Sequence, residues 1–506
     1  MAGALIFSLA MAAIALLVFG EHMGLPAGLA AFGVVGVLGA VLLASAIFSA
    51  TSRLGRFVIG EGRGAAFSGA AIAAVLLILG HVHLVAGGHG VLPAFVWLTT
   101  GFVVGQFFLP ADPWLAIRPA SEVGHGAGVS VADGLRGATK VIMLAASLGA
   151  IALLASLLPV LADRVIEASG WSPPVVFRTL VALVCILALV GGLVSVRRAV
   201  IVGLAFAALL LVLPVAPEGL RNQLPPAPDG GAIRQFAQDV FGHMAARGQA
   251  IVHMPDVGAA IAGFLIGLAA QQALGTVSGM GARSFSVIVA ILLAVVILSV
   301  IEFNGMRLQS LVTGLSETAP AQWPVFVYDD VLRGWLSACG AAPDDARQVA
   351  RACGTIDPRM LLPAGALRFD NGLAMPALAA STGLPVILGF LWALLPLTLV
   401  LAGCGMLLLV AATGAGEALP GGASALRSSR LARVRLAVLG LSALALAAVE
   451  TGYRIGPAVV RWLMLGACLL GLAGIIAGWL ILTMRTLRTW RRASAPAGSG
   501  AETCAG

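Results

Sequence analysis

Long apolar runs, interrupted by short clusters of Arg, Gly and Pro, make up most of this chain. Stretches of about 18 or more apolar residues are long enough to cross a bilayer as helices. They fall near residues 1–20, 26–48, 66–86, 92–110, 137–163 and 174–195, then 200–215, 256–275, 285–303, 383–413, 435–450 and 458–484. Helices satisfy their own backbone groups in lipid, so the pattern predicts an all-α polytopic membrane protein of about 12 transmembrane helices.

Composition agrees. Of the 506 residues, 60% are apolar and only 10% are Asp, Glu, Lys or Arg, where soluble proteins carry about 25% charged residues. A water-soluble enzyme is excluded. The formal charge of +8 does not point to nucleic acid, because the basic residues sit in short clusters between apolar runs and not in a stripe interleaved with aromatics. They orient the chain instead. With both termini cytoplasmic, the inner connections hold Arg53, Arg56, Arg63, Arg118, Arg136, Lys140, Arg197, Arg198, Arg283 and the Arg427–Arg435 and Arg485–Arg492 groups. Only Arg164, Arg178, Arg454 and Arg461 are left near short outer ends. The expected location is a bacterial inner membrane. The first run lacks a basic n-region and is followed by Glu21-His22, so it reads as a retained helix and not as a cleaved signal.

The spans group into two leading helices (1–50), a set of five (51–215), an outer loop (216–255), a second set of five (256–484) and a basic, then disordered, cytoplasmic tail (485–506). Because five is odd, the two sets enter the membrane from opposite sides. This is the parity of an inverted repeat, whose substrate site lies near the bilayer midplane. The second set carries an outer, periplasmic insertion, 304–382, with soluble-domain composition. Within it, Pro343-Asp344-Asp345 followed by Gly354 predicts one short helix. Cys339 and Cys353 flank that helix on the oxidising side, which favours a disulfide over a metal site or a reactive thiol. Cys185, Cys404 and Cys468 lie in apolar runs as small hydrophobes.

Several short segments, in order along the chain, carry a family likeness. Phe57-Val58-Ile59-Gly60 with Ser68-Gly69-Ala70-Ala71-Ile72-Ala73, then Gly101-Phe102-Val103-Val104-Gly105, the loop Val129–Arg136, and Leu397–Val410 resemble motifs of the sodium:solute symporter family, in particular its acetate-permease-like branch. The resemblance implies a LeuT-like five-plus-five inverted repeat preceded by two extra helices. It also implies sodium-driven uptake of a small organic solute of the monocarboxylate kind. Two departures stand out. Where the first core helix of the family is polar, this chain has Val75-Leu76-Leu77-Ile78-Leu79-Gly80-His81-Val82, and the family's sodium-binding Ser-Thr pair falls on Ala402 and Gly403. A bare sodium ion needs several oxygen ligands. No acid falls mid-span to offer a proton route, since Glu302 and Glu450 sit at span ends. Weak or absent cation coupling is the expectation.

The polar residues left in the spans are the substrate-path candidates His81, Gln271 and Gln272. His81 and His83 are two residues apart, about 200° around a helix, so they cannot share one haem or metal. Hydrogen bonding across the bundle, or a break in the helix near Gly80, is the reading of His81. The paired glutamines either line a cavity or join neighbouring helices. No phosphate-loop pattern and no Ser/His/Asp or Cys/His constellation is present, which argues against ATP use and against an enzyme; no resident cofactor is expected. Two functions remain: a transporter with an altered site, or a non-transporting relative serving as scaffold, sensor or accessory subunit of a membrane complex.

Overall fold

The structure is a computed structural model that describes residues 65–86, 91–107, 129–169, 172–186, 254–274, 284–299, 319–323, 328, 336–339, 345–354, 367–369, 399–414 and 457–493, with single positions at 188, 196, 200 and 204. The two leading spans, the 216–255 loop up to residue 253, the span at 435–450, the Phe57–Gly60 motif and the end of the tail lie outside the described residues. Apolar helices dominate the rest. They are α1 (Ala65–Ala86), α2 (Val91–Phe107), α3 (Val129–Ser169), α4 (Pro173–Ile186), α5 (Met254–Leu274), α6 (Ser284–Ser299), α7 (Ala346–Ala352), α8 (Leu399–Gly414) and α9 (Pro457–Ala493). The apolar part of α3, Gly137–Pro159, has 23 residues and that of α9, Ala458–Met484, has 27. At 1.5 Å per residue these measure roughly 35 and 40 Å, enough to cross the hydrocarbon core.

No described helix has a longer unbroken run of buried residues than α1. Its residues are apolar on every side, as expected of a helix surrounded by others, and each residue from Gly69 to His81 is buried. The outermost helices show the opposite pattern. On α6, Phe285, Ile288, Leu292 and Val296 form an exposed apolar stripe, while Val287, Ala290, Ala294 and Ile297 face inward. Trp462, Leu469, Ile476 and Leu480 do the same on α9. Large apolar side chains turned outward are stable only in lipid, so the fold is that of a membrane protein.

Small residues set the closest helix contact. Gly101 and Gly105 of α2 face Gly263 and Gly267 of α5, two G-x-x-x-G pairs against each other. A β-carbon added at Gly263 would stand 1.9 Å from the Leu98 carbonyl oxygen, and one at Gly101 would stand 2.0 Å from that of Ala260. Only glycine allows two helix backbones to meet so closely. The Gln106 amide donates a hydrogen bond to the Gly267 carbonyl and closes the same seam. Elsewhere α5 receives Leu265 against Gly149 of α3 and Phe264 against Gly471 of α9.

Three elements differ from the sequence reading. The segment Val129–Arg136, read as a loop, is the first part of α3, and α9 continues through the basic residues Arg485 to Arg492. The basic stretch after Met484 holds no Gly or Pro, and Gly134 and Gly137 at the start of α3 do not interrupt it, so helix propagation carries past the apolar stretch. The expected break near Gly80 is absent: α1 is helical without interruption from Ala65 to Ala86. Gly80 is instead a packing position: a β-carbon there would stand 2.6 Å from the δ1 carbon of Ile266 and 3.2 Å from that of Leu98.

In the 304–382 segment, a two-stranded antiparallel ribbon pairs β1 (Leu336–Ala338) with β2 (Leu367–Phe369). Three residues a side are too few for an alternation to stand out in the sequence. Beside it, α7 begins on Asp345, whose carboxylate accepts from the Gln348 N–H at 2.6 Å. It ends before Gly354, which takes a left-handed φ of 72°, the usual glycine role past a helix end. Cys339 and Cys353 are joined by a disulfide, with α-carbons 5.3 Å apart.

Candidate functional site

A cavity of about 670 Å³ lies where α1, α3, α5, α8 and α9 converge, within the range of roughly 300 to 1,000 Å³ usual for small-molecule sites. One stripe of α1 forms a wall: Leu76, Leu79, Gly80, His83 and Leu84 follow the spacing of a single helix face. Leu153 and Leu157 of α3, Ile266 of α5 and Leu407 of α8 complete the apolar surface. Among the described lining residues the only polar side chains are those of His83 and Arg461. Arg461 stands one turn into α9 and is exposed, whereas Leu76, Leu79 and Ile266 are buried. The cavity therefore has a cation at its exposed end and hydrocarbon at its buried end.

The cavity belongs to one end of the bundle. It takes its residues from the C-terminal halves of α1 and of Gly137–Pro159, from the N-terminal half of α9, and from Gly258 to Ile266 of α5.

Ala402 and Gly403 lie on α8 and are both buried. Gly403 meets α1 directly: a β-carbon there would stand 2.3 Å from the δ1 carbon of Leu79 and 3.5 Å from the γ1 carbon of Val75. Hydrocarbon fills this contact. On the α1 side of this contact the helix is regular through Val75–Val82, with its carbonyls engaged in the helix. Nearby, α8 is tied to α3 by a hydrogen bond in which the Ser147 hydroxyl donates to the Ala411 carbonyl at 2.7 Å.

The three substrate-path candidates are placed as follows. His81 is 1% exposed and turns away from the cavity, its ring edge-on to Phe95 of α2 with centroids 5.9 Å apart. Gln271 is buried in α5, one turn beyond Gly267, and its amide nitrogen has no hydrogen-bond partner among the described residues. Gln272 is on the same helix, and its side chain lies outside the described residues. None of the three lines the cavity as described. His83 and Arg461 do, and both were legible in part: Arg461 is one of the few basic residues that fall near short outer ends, and His83 is the imidazole that the 200° rule separates from His81. Among the described residues no cluster of His, Cys, Asp and Glu could hold a metal.

No protein-family model matches the chain, and no curated protein matches it. A solved structure does match in fold, described as "Substrate-bound outward-open state of a Na+-coupled sialic acid symporter reveals a novel Na+-site". The two are 13% identical, with a TM-score of 0.57 over 86% of this chain and 84% of that one. The chain thus has the helical fold of a sodium-coupled symporter.

Proposed function

We propose that this chain is a secondary transporter that moves a small organic solute of the monocarboxylate kind across the membrane and does so without a tightly held sodium ion. The observation that carries the reading is the cavity between α1, α3, α5, α8 and α9, set within a fold shared with a sodium-coupled symporter. A protein retained only as a scaffold has no need to keep such a space open at the junction of five helices, since filling it with side chains stabilises the bundle. Fold alone does not assign function; the cavity is what favours transport.

The uncoupled character rests on the contact of Leu79 with Gly403 and on the regular helix through Gly80. Without hydroxyls or freed carbonyls, a sodium ion would exchange its hydration shell for hydrocarbon. The reading places the chain in the sodium:solute symporter family, with a five-plus-five inverted repeat, cytoplasmic termini and the cavity on the outer side of a bacterial inner membrane.

The test is uptake into proteoliposomes, scored against protein-free liposomes over a panel of short carboxylates, with and without a sodium gradient. Protein-dependent flux that is unchanged by sodium is expected. Sodium-driven flux overturns the uncoupled site, and absence of flux for every solute overturns transport and leaves the scaffold or accessory-subunit reading.

A further inference from the structure

We infer that the C-terminal end of α9, with the start of α3 beside it, is a seat for the headgroups of anionic phospholipids. The site lies at the end of α9 away from the cavity, and nothing in it depends on a solute. Three observations lead to it.

The first is length. α9 is one helix of 37 residues, roughly 55 Å at 1.5 Å per residue, and its apolar stretch stops at Met484. A bilayer with its headgroups is about 40–45 Å thick. Trp462 and Trp490 stand roughly 42 Å apart along the axis, so one helix sets a tryptophan at each headgroup layer, where such amphipathic rings are enriched. Arg485, Arg488, Arg491 and Arg492 flank the second tryptophan and therefore stand at the depth of lipid phosphates.

The second is the outward face. Trp462, Leu469, Ile476, Leu480, Leu487 and Trp490 fall within roughly 80° of the helix circumference, and all are exposed. The stripe that meets lipid along the span thus runs unchanged into the basic segment, where Leu487 is 55% and Trp490 70% exposed. In water these side chains would form an unfavourable apolar patch. At a headgroup layer they insert beside the acyl chains while basic side chains reach the phosphates.

The third is charge. No Asp or Glu occurs anywhere on α9. Its neighbour α3 runs antiparallel to it: Gly474 packs on Ala138 and Ile142, while Arg461 and Met464 meet the cavity together with Leu153 and Leu157. The start of α3 thus comes alongside the end of α9 and adds Arg136 and Lys140 with the single acid Asp133. Six basic residues against one acid require a counter-charge from outside, and near a membrane each is worth about fivefold in affinity for an anionic surface. A second copy of the chain would bring the same arginines against themselves. An acidic protein would meet the charge but not the apolar stripe that continues from the span.

The experiment uses the full chain in phosphatidylcholine liposomes doped with brominated phosphatidylglycerol or, in parallel, brominated phosphatidylcholine. It reads the quenched part of the tryptophan emission that disappears in Trp490→Phe. The anionic lipid is expected to quench Trp490 with an apparent affinity at least about tenfold above the zwitterionic one, and the preference should shrink as salt rises from about 0.05 to 0.5 M. Arg485→Gln, Arg488→Gln, Arg491→Gln and Arg492→Gln together should bring the two lipids level. The same four changed to Lys should keep most of the preference, and Arg178→Gln in α4 should change nothing. The salt titration needs no variant, and the lysine form keeps charge and helix propensity, so a glutamine form that fails to fold leaves the test intact. Equal quenching by both lipids, a preference indifferent to salt, or one that survives the glutamine substitutions would overturn the inference. So would quenching of Trp490 by aqueous iodide in place of bromolipid, the result expected of an arm that stands in water to dock an acidic protein.

Discussion

The δ1 carbon of Leu79 stands 2.3 Å from the point a β-carbon on Gly403 would take. The two residues are therefore one unit: the leucine occupies the space that any side chain on α8 at this position would need. Placing a hydroxyl here is a question of volume before it is one of chemistry.

Gly403→Thr alone should destabilise the protein by about 1–3 kcal/mol, the usual effect of overpacking, read as a lower melting temperature in detergent. Adding Leu79→Ala should recover part of that loss by opening the space. Sodium chloride, compared with choline chloride at equal ionic strength, should leave the melting temperature of the unmodified chain unchanged, since a ligand stabilises only what binds it.

The seam between α2 and α5 should be the least tolerant contact in the bundle. A β-carbon at Gly263 would meet the Leu98 carbonyl at 1.9 Å, and backbone atoms cannot turn aside as a side chain can. Gly263→Ala is expected to exceed the ordinary overpacking range, about 3 kcal/mol, and to separate α2 from α5. Gly466→Ala is the control: no atom lies within 4 Å of its β-position, and alanine is the better helix former. Melting temperature and monodispersity after extraction should fall for the first and hold or rise for the second.

How much of this was legible in the sequence depends on whether the information lies in one helix or between two. The apolar runs that became α1, α2, α5 and α9 could be read directly, because lipid demands them. The four-residue spacing of Gly101 with Gly105, and of Gly263 with Gly267, is likewise local, but their facing one another is not. That Ala402 and Gly403 carry no hydroxyl is plain from the sequence; that Leu79 packs on Gly403 is not, since it depends on how α1 is rotated against α8. The same rotation decided between the histidines. Angular spacing showed that His81 and His83 part company, and only the packing of His81 on Phe95 reveals which of them turns to the cavity. The expected break at Gly80 failed because glycine has two uses, loosening a helix or bringing neighbours near, and here Ile266 and Leu98 occupy the room it leaves.

Reduction should loosen the 304–382 insertion without touching the long apolar helices. The Cys339–Cys353 bridge has a sequence separation of 14, and closing a loop of that size contributes about 3 kcal/mol. It clamps α7 to the end of β1, next to Cys339 with its left-handed φ of 53°. Dithiothreitol, or Cys339→Ser with Cys353→Ser, should expose new protease sites between residues 336 and 369 while leaving solute binding in the cavity intact. Unchanged cleavage would show that the ribbon and α7 stand without the bridge.

Alkali should act on the same insertion through Tyr328. Its hydroxyl donates to the Pro320 carbonyl, its ring lies 5.9 Å from that of Trp323, and burial, with a smaller contribution from the Asp345 charge, raises its pKa above the ordinary 10.0. The phenol is neutral when protonated, so a raised folded value means that the folded state holds the proton where the unfolded state has released it. Its contribution to stability is complete below the unfolded value and is lost as pH climbs from about 10 through the folded one. Proteolysis of the insertion should accelerate over that interval in the unmodified protein and follow a flatter curve in Tyr328→Phe. Asp345→Asn keeps an N-cap of similar strength while removing the charge, so it should move the midpoint toward 10 without fraying α7. A midpoint unmoved by Asp345→Asn would assign the whole shift to burial, and an identical profile for Tyr328→Phe would place the alkaline transition elsewhere.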